Sequence, residues 1–427
     1  MFVQIHMLQS MPPGNLNRDE TGQPKKCVFG GVTRGRISSQ CLKRNIRHSH
    51  QFKDAFGDAL ADRTQYLPRM VGDTLRASKL VPEDELEELM VALAARFKKD
   101  KGESNSDESE DKDDEQEKPD GSASGTDSAG TTGQLVFFPQ PFARRIGELI
   151  ADLRQRNPAA YNRFIGRKAK TKLTKDEGKT LDAEIKRFIK QAFDASKSLT
   201  VDIGLFGRMT TSDLVVNVEA ACQVAHAIGT HETLIESDYF TAMDDRKAMY
   251  ASTQMETTGA AFLGSGETET FYNANVYYKY LNVDTGALMK EPLSLSREKA
   301  AQVTKVLLSA AALATPTGKQ NSFAAHSVPE LILVEASRGK RPVSYANAFL
   351  QAVEGRNLMG ESAKALQGYI DSVAAAFAPP DMRRVLLAVG HACVELKSTH
   401  KRVETLDKLV ESVSGLVTGL EKAGGNA

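Results

Sequence analysis

FGGVTRGRISSQCLKRNIRHS, residues 29–49, reads as a β-strand that runs directly into a basic α-helix. Gly30 and Gly31 give a turn that another backbone can approach closely. Arg34 and Arg36 stand two apart, so a strand puts both on one face. Ser38 or Ser39 makes a good N-cap, and Gln40 to Arg47 suits a helix. Gln40, Lys43, Arg44 and Arg47 follow i, i+3, i+4, i+7 spacing and share one helical face. Leu42 and Ile46 point elsewhere and can dock on a sheet. The stretch holds five Lys/Arg and no acid. A solvated face usually mixes signs, and a catalytic site rarely needs so many cations alone. A polyanion fits better: cations and helix N-terminal amides hold a sugar-phosphate backbone without reading its bases.

That charge stands out because the whole chain of 427 residues is formally neutral. Residues 100–120 hold eleven Asp/Glu against three Lys, a net of −8, so the remainder carries +8. Residues 1–50 hold eight Lys/Arg against Asp19 and Glu20, and are the most basic part. The length allows two to four structural units. No apolar run approaches the roughly 18 residues of a membrane helix. The four cysteines are scattered without a CxxC pair, which argues against structural zinc and for reduced thiols in a cytoplasm.

Strand-forming stretches are spread along the chain: FVQIHML near the start, SLTVDIGLFG at 198–207, FYNANVYYKYLNV at 271–283 and ELILVEA at 330–336. Helical spacing predicts helices over Glu83–Phe97, Phe142–Arg156, Leu181–Ala195, Asn217–Ile228 and Arg297–Leu313. The pattern implies an α+β sheet domain interrupted by a helical insertion. The last eighty residues, from Ser344, read as helical, with a stop at Ala378-Pro379-Pro380. Residues 98–133 are polar, acidic and Gly/Ser-rich, the composition of a disordered loop. Such a tract serves as a solubilising insertion or as a nucleic-acid mimic.

Several motifs fail on inspection. TPTGKQN at 315–321 lacks the first glycine of a phosphate loop and has Gln320 where Ser or Thr is needed. Lys319 and Gln320 remain candidates for gripping a backbone. His226 and His231 are five apart, not the four of a helical metal pair. Asp244-Asp245 is a metal or a turn pair. Tyr272, Val276, Tyr278 and Tyr280 share a strand face, available for base stacking or for a core. No metal, cofactor or catalytic set emerges from these residues.

Taken together, five blocks in order resemble one family. They are NLNRDETGQPKKCVFGGVTRGRISSQCLKRNIRHS; DIGLFGRMTTSD with VEAACQVAHAIGTHE; DYFTAMDD, TTGAAFLGS and FYNANVYYKYLN; GKQNSFAAHSVPELILV; and PVSYANAF. They resemble the CasC proteins, backbone subunits of the type I-E CRISPR surveillance complex, Cascade. The resemblance covers 1–55 and 200–350 well and the rest weakly. It implies a modified RRM/ferredoxin-like palm at 1–55 and 200–345 and helical fingers at 56–199. It also implies a β-hairpin thumb at 236–270, with the helical region 346–427 packed on the palm. It further implies a non-catalytic subunit, several copies of which stack head to tail along a CRISPR RNA with the other Cascade subunits. The guide pairs with target DNA, and a helicase-nuclease is recruited. Carried onto this chain, Arg18, Lys25, Ser38, Gln40, Lys43, Arg44 and Arg47 contact the RNA backbone, with Met209 against bases. Phe240, Thr241 and Leu263 lie on the thumb. The acidic insertion at 98–133 departs from the family pattern. An alternative is the backbone subunit of type III complexes, which cuts target RNA with a loop aspartate; Asp19 is the candidate here.

Overall fold

Strand β1 (Phe2–Gly14) pairs antiparallel on both sides, with β9 (Glu269–Asp284) and with β10 (Leu331–Ser337). This arrangement comes from a computed structural model that describes residues 1–97, 130–132, 135–167, 174–194, 199–210, 214–239, 269–392 and 401–419. Most of the acidic tract therefore lies outside the described residues, as do Phe240, Thr241, Leu263, Asp244 and Asp245. The described chain forms two units. One comprises Met1–Gln51, Gln223–Thr285 and Ala301–Ala427; the other comprises Phe52–Cys222 and Gly286–Ala300.

The first unit is built on a mixed sheet. Strands β2 (Lys26–Phe29), β3 (Val32–Ile37), β7 (Ala227–Gly229), β11 (Arg383–Ala388) and β12 (Lys401–Val403) complete the order β12-β11-β10-β1-β9-β7-β3-β2. β6 (Cys222–Val224) and β8 (Glu236–Tyr239) pair with β9 off this path. Pairs such as His6↔Tyr280 and His6↔Leu333 fix which side chains share a face.

One face carries Leu8, Tyr278, Leu331 and Leu386. The core beneath it is completed by Met359, Ala363, Leu366 and Ile370 from the helix Leu358–Phe377. A polar network crosses this core. Glu335 Oε1 accepts from Tyr345 Oη at 2.8 Å and Arg384 Nε at 2.6 Å, while Glu335 Oε2 faces His6 Nε2 at 3.5 Å. The His6 ring stacks on Tyr345 with centroids 4.5 Å apart, and its Nδ1 meets Tyr278 Oη at 2.8 Å. Tyr278 and Tyr280 are buried, which gives those aromatics to the core; base stacking is closed to them. On the opposite face, buried Lys279 donates to Ala311 O at 2.9 Å, near the C-terminus of the helix Arg297–Leu313. A cation there meets an orphan carbonyl and the negative end of the helix dipole.

Two glycines fit the first strands to this frame. A Cβ on Gly35 would lie 2.6 Å from Asn275 Nδ2 and 2.8 Å from Tyr277 Oη, so only hydrogen leaves room for them. Gly30, at φ +63°, lets the Leu350 carbonyl approach to where a Cβ would otherwise be. The close approach expected of the glycine turn is thus made by the chain's own backbone.

The second unit has a separate core. It draws on helices Leu67–Ser78, Glu83–Ala95, Phe142–Arg156, Pro158–Phe164 and Lys175–Ala192, with a small sheet of β4 (Ala61–Thr64) and β5 (Val136–Pro139). Among the described residues, no helix is long and apolar enough to cross a membrane.

Three expectations change. Residues 201–206 form a short helix, not a strand: Thr200 Oγ1 donates to Asp202 Oδ1 at 2.6 Å, and Asp202 also accepts the Ala61 amide. The helix expected over Asn217–Ile228 is replaced by β6 and β7, because pairing with β9 overrides local helix preference. The C-terminal eighty residues are not all helical: β11 and β12 extend the sheet between the helices Leu358–Phe377 and Leu406–Thr418.

Glu335 makes the core acid-sensitive. Burial would raise its carboxyl pKa, but His6, Arg384 and Tyr345 outweigh that and hold it at about 2, below the ordinary 4.5. A depressed folded value adds stability above about pH 4.5, and the gain is lost as pH falls toward 2. Glu335→Gln should flatten urea-denaturation stability across that window and cost about 3–5 kcal/mol at neutral pH, as breaking a buried ion pair does.

Candidate nucleic-acid interface

β3 ends at Ile37 and the helix Ser39–Arg47, here α1, begins two residues later. Ser38 is the N-cap: it is extended (φ −67°, ψ 151°) and its Oγ accepts the Cys41 amide at 3.3 Å. Leu42 and Ile46 are buried, Gln40 and Arg44 exposed, and Lys43 half-buried. Arg47 departs from the expected row and is only 9% exposed. Helical spacing puts it in line with Gln40, but the helix stops at His48 and another starts at His50, so this last turn does not stand clear.

The loop after β1 folds back beside this N-terminus. Asp19 Oδ1 accepts from Thr21 N, Thr21 Oγ1 and Gln23 N at 2.7–3.0 Å, closing a tight turn that carries exposed Arg18 and Glu20. Arg18 bridges to Pro24, and the Lys25 amide donates to Asn17 O at 2.8 Å. Lys25 O in turn accepts the Arg36 amide at 2.9 Å, which ties the loop to β3. Burial pushes the Cys41 thiol up to about 11, against the opposing pull of Lys25 and Arg44. Loop cation Lys25 and helix cation Arg44 thus both act on the Cys41 thiol, with Arg18 on the same loop and Lys43 next to Arg44 in sequence.

A third segment joins them. Gly318 packs so closely on this loop that a Cβ there would sit 2.6 Å from Leu16 O and 2.7 Å from Asn15 O. Lys319, next in sequence, is exposed. Gln320 is half-buried, and its Nε2 donates to Pro316 O at 2.9 Å, which holds its own loop.

Other residues singled out in the sequence fall elsewhere. Arg34 is fully buried, and its guanidinium donates to Phe29 O, Gly229 O and Phe349 O at 2.9–3.2 Å. It shares a face with Arg36 as expected, but it staples the sheet. Arg36 itself lies 3.2 Å from His226 Nδ1. His231 Nε2 accepts the Val276 amide, and its Nδ1 pairs with Glu232 O. Among the described residues, no group of three His, Cys, Asp or Glu is placed to hold a metal. Met209, in the second unit, is 86% exposed, next to Arg208, which donates to Val216 O and Phe137 O. The thumb residues lie outside the described residues, but the strands flanking them pair, from Glu236↔Tyr272 to Tyr239↔Glu269. Asn17 is the residue that sequence reasoning missed: its Oδ1 accepts the Ser38 amide at 2.8 Å.

The fold and site together define an α+β sheet protein with exposed cations where its first loop meets its first helix. The chain belongs to the CT1975-like protein family, whose profile matches residues 3–412. Among solved structures it is similar to a chain of a "CRISPR RNA-guided surveillance complex, pre-nicking". That match has TM-score 0.71 and 25% identity, covering 97% of this chain and 100% of the other. A chain of a second "CRISPR RNA-guided surveillance complex" shares the fold, with TM-score 0.53 and 21% identity over 96% and 99%. No curated protein matches. The resemblance to a CRISPR backbone subunit therefore holds at the level of the family.

Ser38→Ala should cost about 1 kcal/mol in chemical denaturation through the lost N-cap, with Ser38→Asp close to wild type.

Proposed function

We propose that this chain is a non-catalytic, guide-RNA-binding backbone subunit of a type I-E surveillance complex. In this reading the sheet unit is an RRM-like palm, the helical unit the fingers, and the β8–β9 ribbon the base of a thumb. Several copies line up head to tail along one CRISPR RNA. The thumb interrupts base stacking at intervals, and the exposed bases pair with target DNA, so sequence reading is delegated to base pairing. Other Cascade subunits and a recruited helicase-nuclease complete the assembly.

The observation that carries the reading is the cation cluster: Arg18 and Lys25 from the loop after β1, Lys43 and Arg44 from α1, and Lys319 on the adjoining loop. Cations from separate segments with few intervening acids suit a row of phosphates, and they carry no base specificity. The solved chain with TM-score 0.71 comes from an RNA-guided complex, which supports the same ligand here. Asp19 supports a non-catalytic role: Oδ1 is engaged three times in shaping its own turn.

About five phosphate contacts give a slope of log affinity against log salt near −3.5 for single-stranded RNA. Lys43→Ala/Arg44→Ala should reduce that slope by about 1.4 and weaken binding alike for unrelated spacer sequences, measured by filter binding. A loss confined to particular sequences would count against the reading. With magnesium and complementary RNA, wild type and Asp19→Ala should leave the same uncut RNA.

A further inference from the structure

Capping a helix with serine satisfies the amide of the third helical residue. In a capping box, a Glu or Gln at that residue reaches back to satisfy the cap's own amide. In α1 the third residue is Cys41, which cannot do so. The Ser38 amide donates instead to Asn17 Oδ1 at 2.8 Å, across 21 residues of sequence. The missing half of the box is supplied from the loop after β1.

That contact fixes more than a helix end. Asn17 lies between Arg18 and the turn closed by Asp19 on one side and β1 on the other, and its own carbonyl accepts the Lys25 amide at 2.8 Å. Asn15 Nδ2 holds Gly22 O at 2.9 Å, so the loop is rigid within itself. At its far end the β2–β3 ladder and the Lys25–Arg36 backbone bond tie the loop to β3; at its near end, beside Arg18, the side-chain tie to α1 is the bond from Asn17 to Ser38. Gly318 packs on the base of the same loop, which carries Lys319 along with it. The acceptor is also neutral. An aspartate would fit the geometry but place a negative charge among the cations.

We propose that Asn17 is a positioning residue for guide-RNA binding: it completes the cap of α1 and thereby sets the loop cations Arg18 and Lys25 in register with Lys43 and Arg44. The inference rests on the RNA-binding reading above. Asn17 touches no phosphate itself; it makes two separate cation groups act as one row.

The test is a salt titration of affinity for mixed-sequence single-stranded RNA with the full chain. Asn17→Ala should lower the slope from about −3.5 to about −2, the loss of two contacts, as should Arg18→Ala/Lys25→Ala. Adding Asn17→Ala to that double variant should change the slope no further, because a residue acting through those cations has nothing left to position. Asn17→Asp keeps the acceptor and should retain protection of the Ser38 amide from hydrogen exchange, with a slope within one contact of wild type. If Asn17→Ala does not fold, Asn17→Ser, polar but too short to reach Ser38, carries the same expectation. A wild-type slope in the Ala or Ser variant, or losses that add fully in the triple variant, would overturn the inference. Unchanged binding in Lys43→Ala/Arg44→Ala would remove the RNA-binding reading itself, and this inference with it.

Discussion

The antiparallel ladder between β1 and β9 is the constraint on which the rest of the first unit depends. It joins the chain's first strand to residues some 270 positions later, from Phe2↔Asp284 to Gly14↔Asn273. Over Phe2–Leu8 β1 is also paired with β10, so both edges of that part are taken. Every element of the candidate interface takes its place from this ladder. The Asn15–Lys25 loop leaves β1 where β9 begins to outrun it, β3 is placed through β7, and α1 follows β3 without a linker. The cations are therefore positioned by a long-range pairing that local sequence does not encode.

Much of this frame is legible because its signals are strong and local. FVQIHML, FYNANVYYKYLNV and ELILVEA are rich in residues that suit a pleated surface, and they are β1, β9 and β10. Phe142–Arg156 and Arg297–Leu313 match their expected bounds because their apolar spacing is regular. The failures have different causes. VDIGLF is a short apolar run, and such a run has no period long enough to separate strand from helix. NVEAACQVAHAI has good helix formers, yet its strands are three residues each and exist because β9, and for β7 also β3, offer partners. VLLA in β11 sits within a stretch whose spacing suggests helix for the same reason: pairing with β10 decides it.

The site is half legible. The N-cap at Ser38 and the buried pair Leu42 and Ile46 follow from local rules. Arg34 shows where those rules stop. Alternation places it on the face shared with Arg36, but cannot say that three carbonyls from Phe29, Gly229 and Phe349 converge there. Asn17 gives no signal at all, since an asparagine in a polar loop is ordinary and its partner lies 21 residues away.

β9 has a mechanical consequence. Its inner part is locked between β1 and β7, while Glu269–Tyr272 runs on to pair with β8 alone. A pull on that outer end travels along the strand axis and loads the β1–β9 hydrogen bonds in shear, all at once, instead of peeling them singly. Whatever leans on the ribbon thus pushes against the longest strand ladder among the described residues.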